Sequence, residues 1–396
     1  MARRISIPSK ATQLKIVGPA DSYTVARIQR LSMTADRPST DIDELGNRLK
    51  AGTVEDTPAI TTTFQTFDVG IKLFSVLTGT DPTAYPASGV SATALTDVDV
   101  IVQIKNANTE DFVKMAHARR CVIQDFTFSY SVEGESTEEY TVIGTQKRWF
   151  KNDVIVDRFT TGTTSFSLSE TPVTLKSGDE CLSVILDGIY LEEVAAAPAT
   201  GEYTVSGTTL TTSDSRTAQC IAVYQAAPTG TNWADINETD VPAAIRGIDV
   251  PIEISANSIA RIQSITFNGT FSPEAVKEHG NRDYVGYTTQ NLSVNGTITV
   301  LDTDTELISL FTTGALAPAD TEFGISELTA DAITLKVELQ DPSDTTVPYT
   351  ILKTLWVPQV SITSEGFTQN VNNNAQQTFD FKSTTGELIV YSGAKP

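Results

Sequence analysis

The chain has 396 residues, a formal net charge of −21 and three cysteines, Cys121, Cys181 and Cys220. That length suits two or three domains. The acidic balance repels nucleic acid rather than gripping it, and an odd, small number of cysteines is no disulfide framework. Cys181 and Cys220 fall in one segment and could pair; buried thiols are the simpler reading. Thr, Ser, Val and Ile are abundant and long runs of helix formers are scarce, so the chain is expected to be β-rich. No stretch is apolar enough to span a membrane. The opening MARRISIPSK is basic but lacks an apolar signal core, so a soluble protein made in the cytoplasm is expected.

The first informative stretch is ARIQ, Ala26–Gln29, which returns unchanged at Ala260–Gln263, 234 positions on. At the same offset ELGNR (Glu44–Arg48) meets EHGNR (Glu278–Arg282), with Leu45 replaced by His279. PAITTTFQTFD (Pro58–Asp68) then lies over LSVNGTITVLD (Leu292–Asp302). In the second copy Leu292, Val294, Ile298 and Val300 alternate with polar residues, which is the pattern of a strand buried on one face. Ile60 and Phe64 do the same in the first copy. Leu73, Phe74 and Leu77 match Leu307, Ile308 and Phe311, a spacing that suits a short amphipathic helix ended near Gly79 and Gly314. Later QDFTFSYSVEG (Gln124–Gly134) falls on PQVSITSEGF, with Phe126 over Val360 and Phe128 over Ile362. A constant offset with matched strand phase marks a duplication.

Each copy therefore reads as a strand, a long polar loop, further strands, a short helix and a final hairpin. Residues 160–240 have no counterpart and read as a β module of their own. LSVILDGIYLEE gives two strands around Asp187-Gly188, GEYTVSGTTLTT a pair around Ser206-Gly207, and CIAVYQA a last strand. The fold class expected is all-β (β-rich α+β): two tandem sandwich or barrel domains, 1–160 and 241–396, each with one short helix, and an inserted β module with its linker at 161–240.

The chemistry-bearing residues do not converge. The two histidines, His117 and His279, stand near no Ser or Cys motif, and a catalytic triad needs a positioned imidazole. LDTDTE (Leu301–Glu306) alternates carboxylates but lacks the glycine and closing glutamate of a calcium loop. There is no glycine-rich phosphate loop. Asn295-Gly296-Thr297 matters as a glycan acceptor only in a secreted protein. HARR, His117–Arg120, is a small basic cluster of the kind found at ordinary surfaces and interfaces. No enzyme, metal or cofactor is expected. What remains is interaction: a duplicated β domain has strand edges to cover, and a head-to-tail contact that closes gives a ring.

The pattern ARIQRLSM…ELGNR…TTTFQTFD…LFSVLTG resembles the tail tube (major tail) proteins of tailed bacteriophages, over about residues 10–155 and again over 245–392. The resemblance implies sandwiches whose sheets join neighbours into a continuous inner barrel. It also implies pseudo-hexameric rings of three chains, stacked into a tube through which DNA passes without being bound. The partners implied are the chain itself, a tape measure protein and tail terminator or baseplate proteins, in a virion tail assembled in the host cytoplasm. The insertion resembles decoration modules and should project outward. Under this reading the lumen-facing candidates are Asp125, Thr127, Ser129, Glu133 and Glu135 in copy one, and Gln359, Ser361, Thr363 and Glu365 in copy two. The inter-subunit loop candidates are Asp41, Asp43, Glu44, Gly46, Asn47 and Arg48, with Glu274, Glu278, His279, Gly280, Asn281 and Arg282. Two other readings compete: a distal tail or baseplate ring component, and a secreted adhesin or carbohydrate-binding β module.

Overall fold

The computed structural model describes residues 12–395 except 20, 44, 46–49, 51, 80–89, 92–95, 106–111, 161, 214–218, 228–243, 260, 289–290, 302–304, 314–321, 323, 325–332, 345 and 370–373. The first copy holds β1 (Thr12–Val17), β2 (Ser22–Thr24), β3 (Ile28–Asp36), β4 (Ser39–Ile42), β5 (Gly52–Glu55), β6 (Ala59–Thr66), α1 (Ile71–Thr78), β7 (Val90–Ser91), β8 (Val98–Lys105), β9 (Phe112–Ser131), β10 (Thr137–Gly144) and β11 (Gln146–Phe150). The middle of the chain forms β12 (Asp153–Phe159), β13 (Ser165–Ser167), β14 (Ser183–Leu186), β15 (Ile189–Tyr190), β16 (Glu192–Glu193), β17 (Glu202–Ser206), β18 (Thr209–Thr212) and β19 (Cys220–Ala226). The second copy holds β20 (Ile252–Ile254), β21 (Asn257–Ser258), β22 (Ile262–Thr270), β23 (Glu274–Val276), β24 (Gly286–Thr288), β25 (Ser293–Leu301), α2 (Glu306–Thr313), β26 (Ile333–Gln340), β27 (Ile351–Thr368), β28 (Gln376–Ser383) and β29 (Ile389–Ser392). The fold is all-β, with two short α-helices of eight residues each among the described residues.

The two copies match down to their irregularities. β4 pairs with β5 with Ile42 opposite Gly52, and β23 with β24 with Val276 opposite Gly286. In the helices, the Thr78 hydroxyl donates to the Phe74 carbonyl and the Thr312 hydroxyl to that of Ile308. After the helix the offset widens, because connections change length more readily than strands. Asp125 and Ile123 pair with the adjacent residues Thr141 and Val142, leaving Gln124 as a bulge. Ser364 and Ile362 pair with the adjacent Asp380 and Phe381, leaving Thr363 as the same bulge. These bulges set the long strands 239 positions apart. The ungapped matching of Phe126 to Val360 is thereby corrected: Phe126 occupies the place of Glu365, and Cys121 that of Val360.

Each copy is a two-layer sandwich built on one long strand. The first half of β9 lies in the sheet β2-β1-β8-β9-β11, and the first half of β27 in β21-β20-β26-β27-β29-β7, whose last strand comes from the first copy. Their second halves enter a different sheet, described below. A single core runs through both copies and includes Phe74, Phe126 and Phe128 with Phe267, Phe271 and Phe311. The rings of Phe126 and Phe271 meet across the copies with centroids 6.2 Å apart. Each such ring contributes roughly 1.5–3 kcal/mol by leaving water, so the two copies are not independent folding units.

The middle module has two four-stranded sheets, β12-β19-β14-β15 and β13-β18-β17-β16, around Phe166, Val184, Tyr203, Leu210 and Tyr224. Asp187 and Gly188 both have positive φ, 49° and 84°, the conformation that a two-residue type I′ hairpin turn demands. β12 pairs along its length with β19, so the module begins at Asp153 rather than at 161. The stretch DVIVDRF alternates like any half-buried strand, and no turn signal assigns it to one side. The module packs through Leu182, Ile185 and Ile221 onto Val17, Ile101 and Met115. Those three residues alternate with core residues such as Ile16, Val100 and Ala116, so the module covers the outward face of the first outer sheet.

Candidate interaction surface

The second sheet is continuous across the duplication. Its order is β3-β6-β10-β9-β22-β25-β28-β27, antiparallel throughout. Four strands come from each copy, and β9 meets β22 with Ser131 opposite Ser264, Phe128 opposite Phe267 and Asp125 opposite Thr270. Strict alternation puts aromatic and aliphatic residues on the core face. The other face carries mostly Ser, Thr, Asn and Gln, because residues i and i+2 share a side. Hydroxyls and amides link the strands along that face: Thr63 with Thr141 at 3.3 Å, Thr127 to Asn268 at 3.1 Å, Thr297 to Asp380 at 2.8 Å and Ser364 to Asp380 at 2.6 Å. Arg30 is held by Glu139 at 2.8 Å.

The joint between the copies is locked from the core side by an ion pair. Lys353 of β27 donates to the Glu138 carboxylate of β10, and both side chains are fully buried. Tyr140 donates to the same carboxylate at 2.6 Å and Tyr130 at 3.4 Å. Burial pushes the Glu138 carboxyl up, and Lys353 only partly offsets it. The same burial, with Glu138 alongside, pushes both tyrosine hydroxyls well above their ordinary range. Lys353 also sits 4.7 Å from the ring centroid of Phe128. Opposite Phe126 stands Gly269, where a Cβ would come within 2.1 Å of the Phe126 ring.

The hairpin β23–β24 of the second copy reaches back over the first. Arg120 donates to the Val285 carbonyl at 2.9 Å, Gln146 to Asp283 at 2.6 Å and Tyr287 to the Gly144 carbonyl at 2.8 Å. Lys277 pairs with Asp56 at 2.8 Å. The equivalent hairpin of the first copy, β4–β5, is exposed along almost its whole length, with Ile42 45% and Val54 56% accessible.

Of the residues expected to line a lumen, Asp125, Thr127 and Ser129 stand on the polar face at half-buried positions, and so does Ser361. Thr363 is the bulge residue, and its hydroxyl donates to the Asp380 carbonyl at 3.2 Å. That bulge reverses the phase, so Glu365 turns to the core side, where it accepts from Gln377 at 2.8 Å. Ser364 and Thr368 take the polar face instead. Glu133 and Glu135 lie in the exposed turn after β9 and not on the sheet. Gln359 lies before the bulge, exposed, at the place Arg120 holds in the first copy. The signal for the phase change is in the sequence: buried Ile123 is followed by Phe126, Phe128 and Tyr130, a switch from odd to even positions.

Of the loop candidates, Glu274 begins β23, and Glu278, His279, Gly280, Asn281 and Arg282 form the exposed tip of the hairpin. Gly280 has φ +85°, which lets the chain reverse there. Asp41 pairs with Lys50 and accepts from Thr53 at 3.2 Å, and Asp43 is exposed. Glu44, Gly46, Asn47 and Arg48 lie outside the described residues.

His117 is buried in the first copy, 2.9 Å from Asp99. Asp99 also accepts from the Arg120 amide and the Tyr190 hydroxyl, each at 3.0 Å. Burial pushes the Asp99 carboxyl up, but the charge and hydrogen bond of His117, with the bond from the Arg120 amide, outweigh it and hold it below the ordinary range. Through Tyr190 the network ties the insertion to the first copy, and His117 and Asp99 at its centre are closed to solvent. Among the described residues no group of His, Cys, Asp and Glu could hold a metal ion, and no helix is long and apolar enough to cross a membrane. No protein-family model and no curated protein matches the chain.

Proposed function

We propose that this chain is a structural subunit that joins its copies edge to edge into rings, and that the rings stack as the tail tube of a tailed bacteriophage. The observation that carries the reading is the β9–β22 joint. One end of a four-stranded half-sheet already pairs with the other end of the next half-sheet inside the chain. Among the described residues the same two kinds of end remain uncovered: the outer edge of β3 and the outer edge of the second half of β27. A contact between unlike ends is head-to-tail and closes into a ring when its rotation allows.

Three chains would place six half-sheets in one barrel. Roughly 24 strands spaced about 4.8 Å apart and tilted about 40° close at a radius of roughly 24 Å, well beyond the 16–18 strands that already leave an aqueous channel. The Ser/Thr-rich face would line that channel. Such a wall lets DNA pass, because it offers few cations to displace phosphate counterions. Arg30, a cation on this face, is already paired with Glu139. The insertion, on the outward side of the first outer sheet, would decorate the exterior. The ends of the tube would meet terminator and baseplate proteins, and a tape measure protein would occupy the channel before DNA.

Negative-stain microscopy of the purified chain at high concentration tests this reading. The expected result is rings or long hollow tubes. A monodisperse monomer that binds glycans would replace the tube with the adhesin reading.

A further inference from the structure

We infer that the next chain is added in the register of the internal joint: β3 of one chain pairs antiparallel with β27 of its neighbour, placing Ser32 opposite Thr368, Met33 opposite Phe367 and Thr34 opposite Gly366. The inference rests on the ring reading above and specifies which residues meet. It follows from the duplication alone. Ser129, Phe128 and Thr127 pair with Thr266, Phe267 and Asn268 at the internal joint. Moving the first set to its place in β27 and the second to its place in β3 gives the three pairs named.

Exposure agrees at both ends. Phe128 and Phe267 are fully buried at the internal joint, whereas Phe367 is 57% exposed and Met33 is only partly buried. Behind the strands, Val390 stands beside Leu355 and is fully buried against the other copy. Its counterpart Trp149, beside Ala116, is 53% exposed. Thus Phe367 waits at the second-copy end and Trp149 at the first-copy end, each at a position whose twin is covered inside the chain. Two large apolar side chains left open at matching places indicate that a second copy of this chain covers them.

The charges are rearranged in a complementary way. Lys114 occupies the place of Lys353 and rests over the Trp149 ring at 4.6 Å. Gln377 occupies the place of Glu138. Glu365, in the place of Phe126, holds Gln377 at 2.8 Å. Added in this register, Lys114 of the incoming chain faces the Glu365–Gln377 pair. The contact between chains therefore keeps one cation and one carboxylate, with the carboxylate moved to the strand edge. The exposed β4–β5 hairpin would lie over the neighbour's Gln359, as β23–β24 lies over Arg120.

Disulfide trapping tests the register. The double variant Met33→Cys, Phe367→Cys, oxidised under assembly conditions, is expected to give covalent multimers. The pair Met33→Cys, Glu365→Cys, two positions out of register, is expected to give none. Tubes that form but cross-link only through the second pair overturn the register while leaving the ring reading standing. A wild-type chain that forms neither rings nor tubes overturns both. If the cysteine variants fail to assemble, hydrogen exchange on wild-type tubes decides: amides of residues 32–36 and 364–368 gain protection over the monomer, or the register is wrong. Lys114→Met is expected to weaken assembly without lowering the melting temperature of the monomer. Unchanged assembly removes Lys114 from the contact.

Discussion

Arg27 and Arg261, 234 positions apart, share one unusual backbone state and one set of bonds. Both have positive φ, 49° and 75°. Each carbonyl accepts from the side-chain amide of the glutamine two residues on, at 3.0 and 3.3 Å, and from a backbone amide, that of Phe67 or Leu301. Each opens a strand whose ladder shifts within its first residues. ARIQ is thus the sequence of a bulge, and its repetition reflects geometry rather than a binding motif. Left-handed backbone costs a side-chain-bearing residue roughly 1–2 kcal/mol and is worst for β-branched residues. Arg27→Gly is expected to leave stability unchanged or raised, and Arg27→Val to lower it by about 1–2 kcal/mol. Urea midpoints of the two variants check this; a valine as well tolerated as glycine would mean the bulge relaxes.

The Glu138–Lys353 pair holds the copies together at a definite cost. Removing one partner leaves a charge buried without its counterion, which typically destabilises by about 3–5 kcal/mol. Lys353→Met alone is expected to fall in that range. The double variant Glu138→Leu, Lys353→Met is expected to regain part of the loss, because it removes both buried charges but leaves the Tyr140 and Tyr130 hydroxyls without their acceptor. Chemical denaturation of both variants measures the difference. Equal losses in the single and double variants would show that packing around Phe128, and not charge, is what Lys353 provides.

The duplication, the β-rich class, both helices and the hairpin at Asp187-Gly188 were legible because each leaves a local periodic trace. The strand alternation of Leu292–Val300 maps directly onto burial. What was not legible depends on register between distant strands. Glu365 reads as a polar-face residue when alternation runs on through Thr363, and only the pairing of Ser364 and Ile362 with Asp380 and Phe381 reveals the bulge. β12 reads as part of the first copy because its partner β19 is distant in sequence, with Phe159 opposite Cys220 and Asp153 opposite Ala226. The joint itself, with Phe128 opposite Phe267, has no sequence signal beyond the repeat, since nothing local says which edge meets which. The Lys353–Glu138 pair was invisible for the same reason.

The three cysteines are free and buried. Burial pushes the Cys220 thiol up to about 12, with Asp187 adding to it. Burial likewise drives Cys181 upward, assisted by Glu193, and Cys121, assisted by Asp99. The thiolate is the nucleophile, so native protein is expected to react negligibly with an aromatic disulfide reagent at neutral pH. After denaturation without reductant all three thiols should react. Recovery of only one would mean that Cys181 and Cys220 had joined.

Asp380 makes the edge of the joint sheet sensitive to acid. Hydrogen bonds from Ser364 and then Thr297 hold its carboxyl below the ordinary range, against a small opposing effect of burial. A carboxyl lowered in the folded state adds stability that is present above its unfolded value, about 3.9, and is lost as pH falls through the folded value. Because Ser364 opens the uncovered segment of β27, protonation of Asp380 should loosen that edge first. The melting temperature is therefore expected to drop between neutral pH and pH values below about 4, and part of that drop should vanish in Asp380→Asn. That variant lacks the titrating group; its one carbonyl oxygen accepts from one of the two hydroxyls, and its amide nitrogen donates to the other. Hydrogen exchange at pH about 3 should show faster exchange of residues 364–368 in the wild-type chain than at neutral pH, after correction for the intrinsic rates. An acid profile identical in the variant would remove Asp380 as the source of the effect.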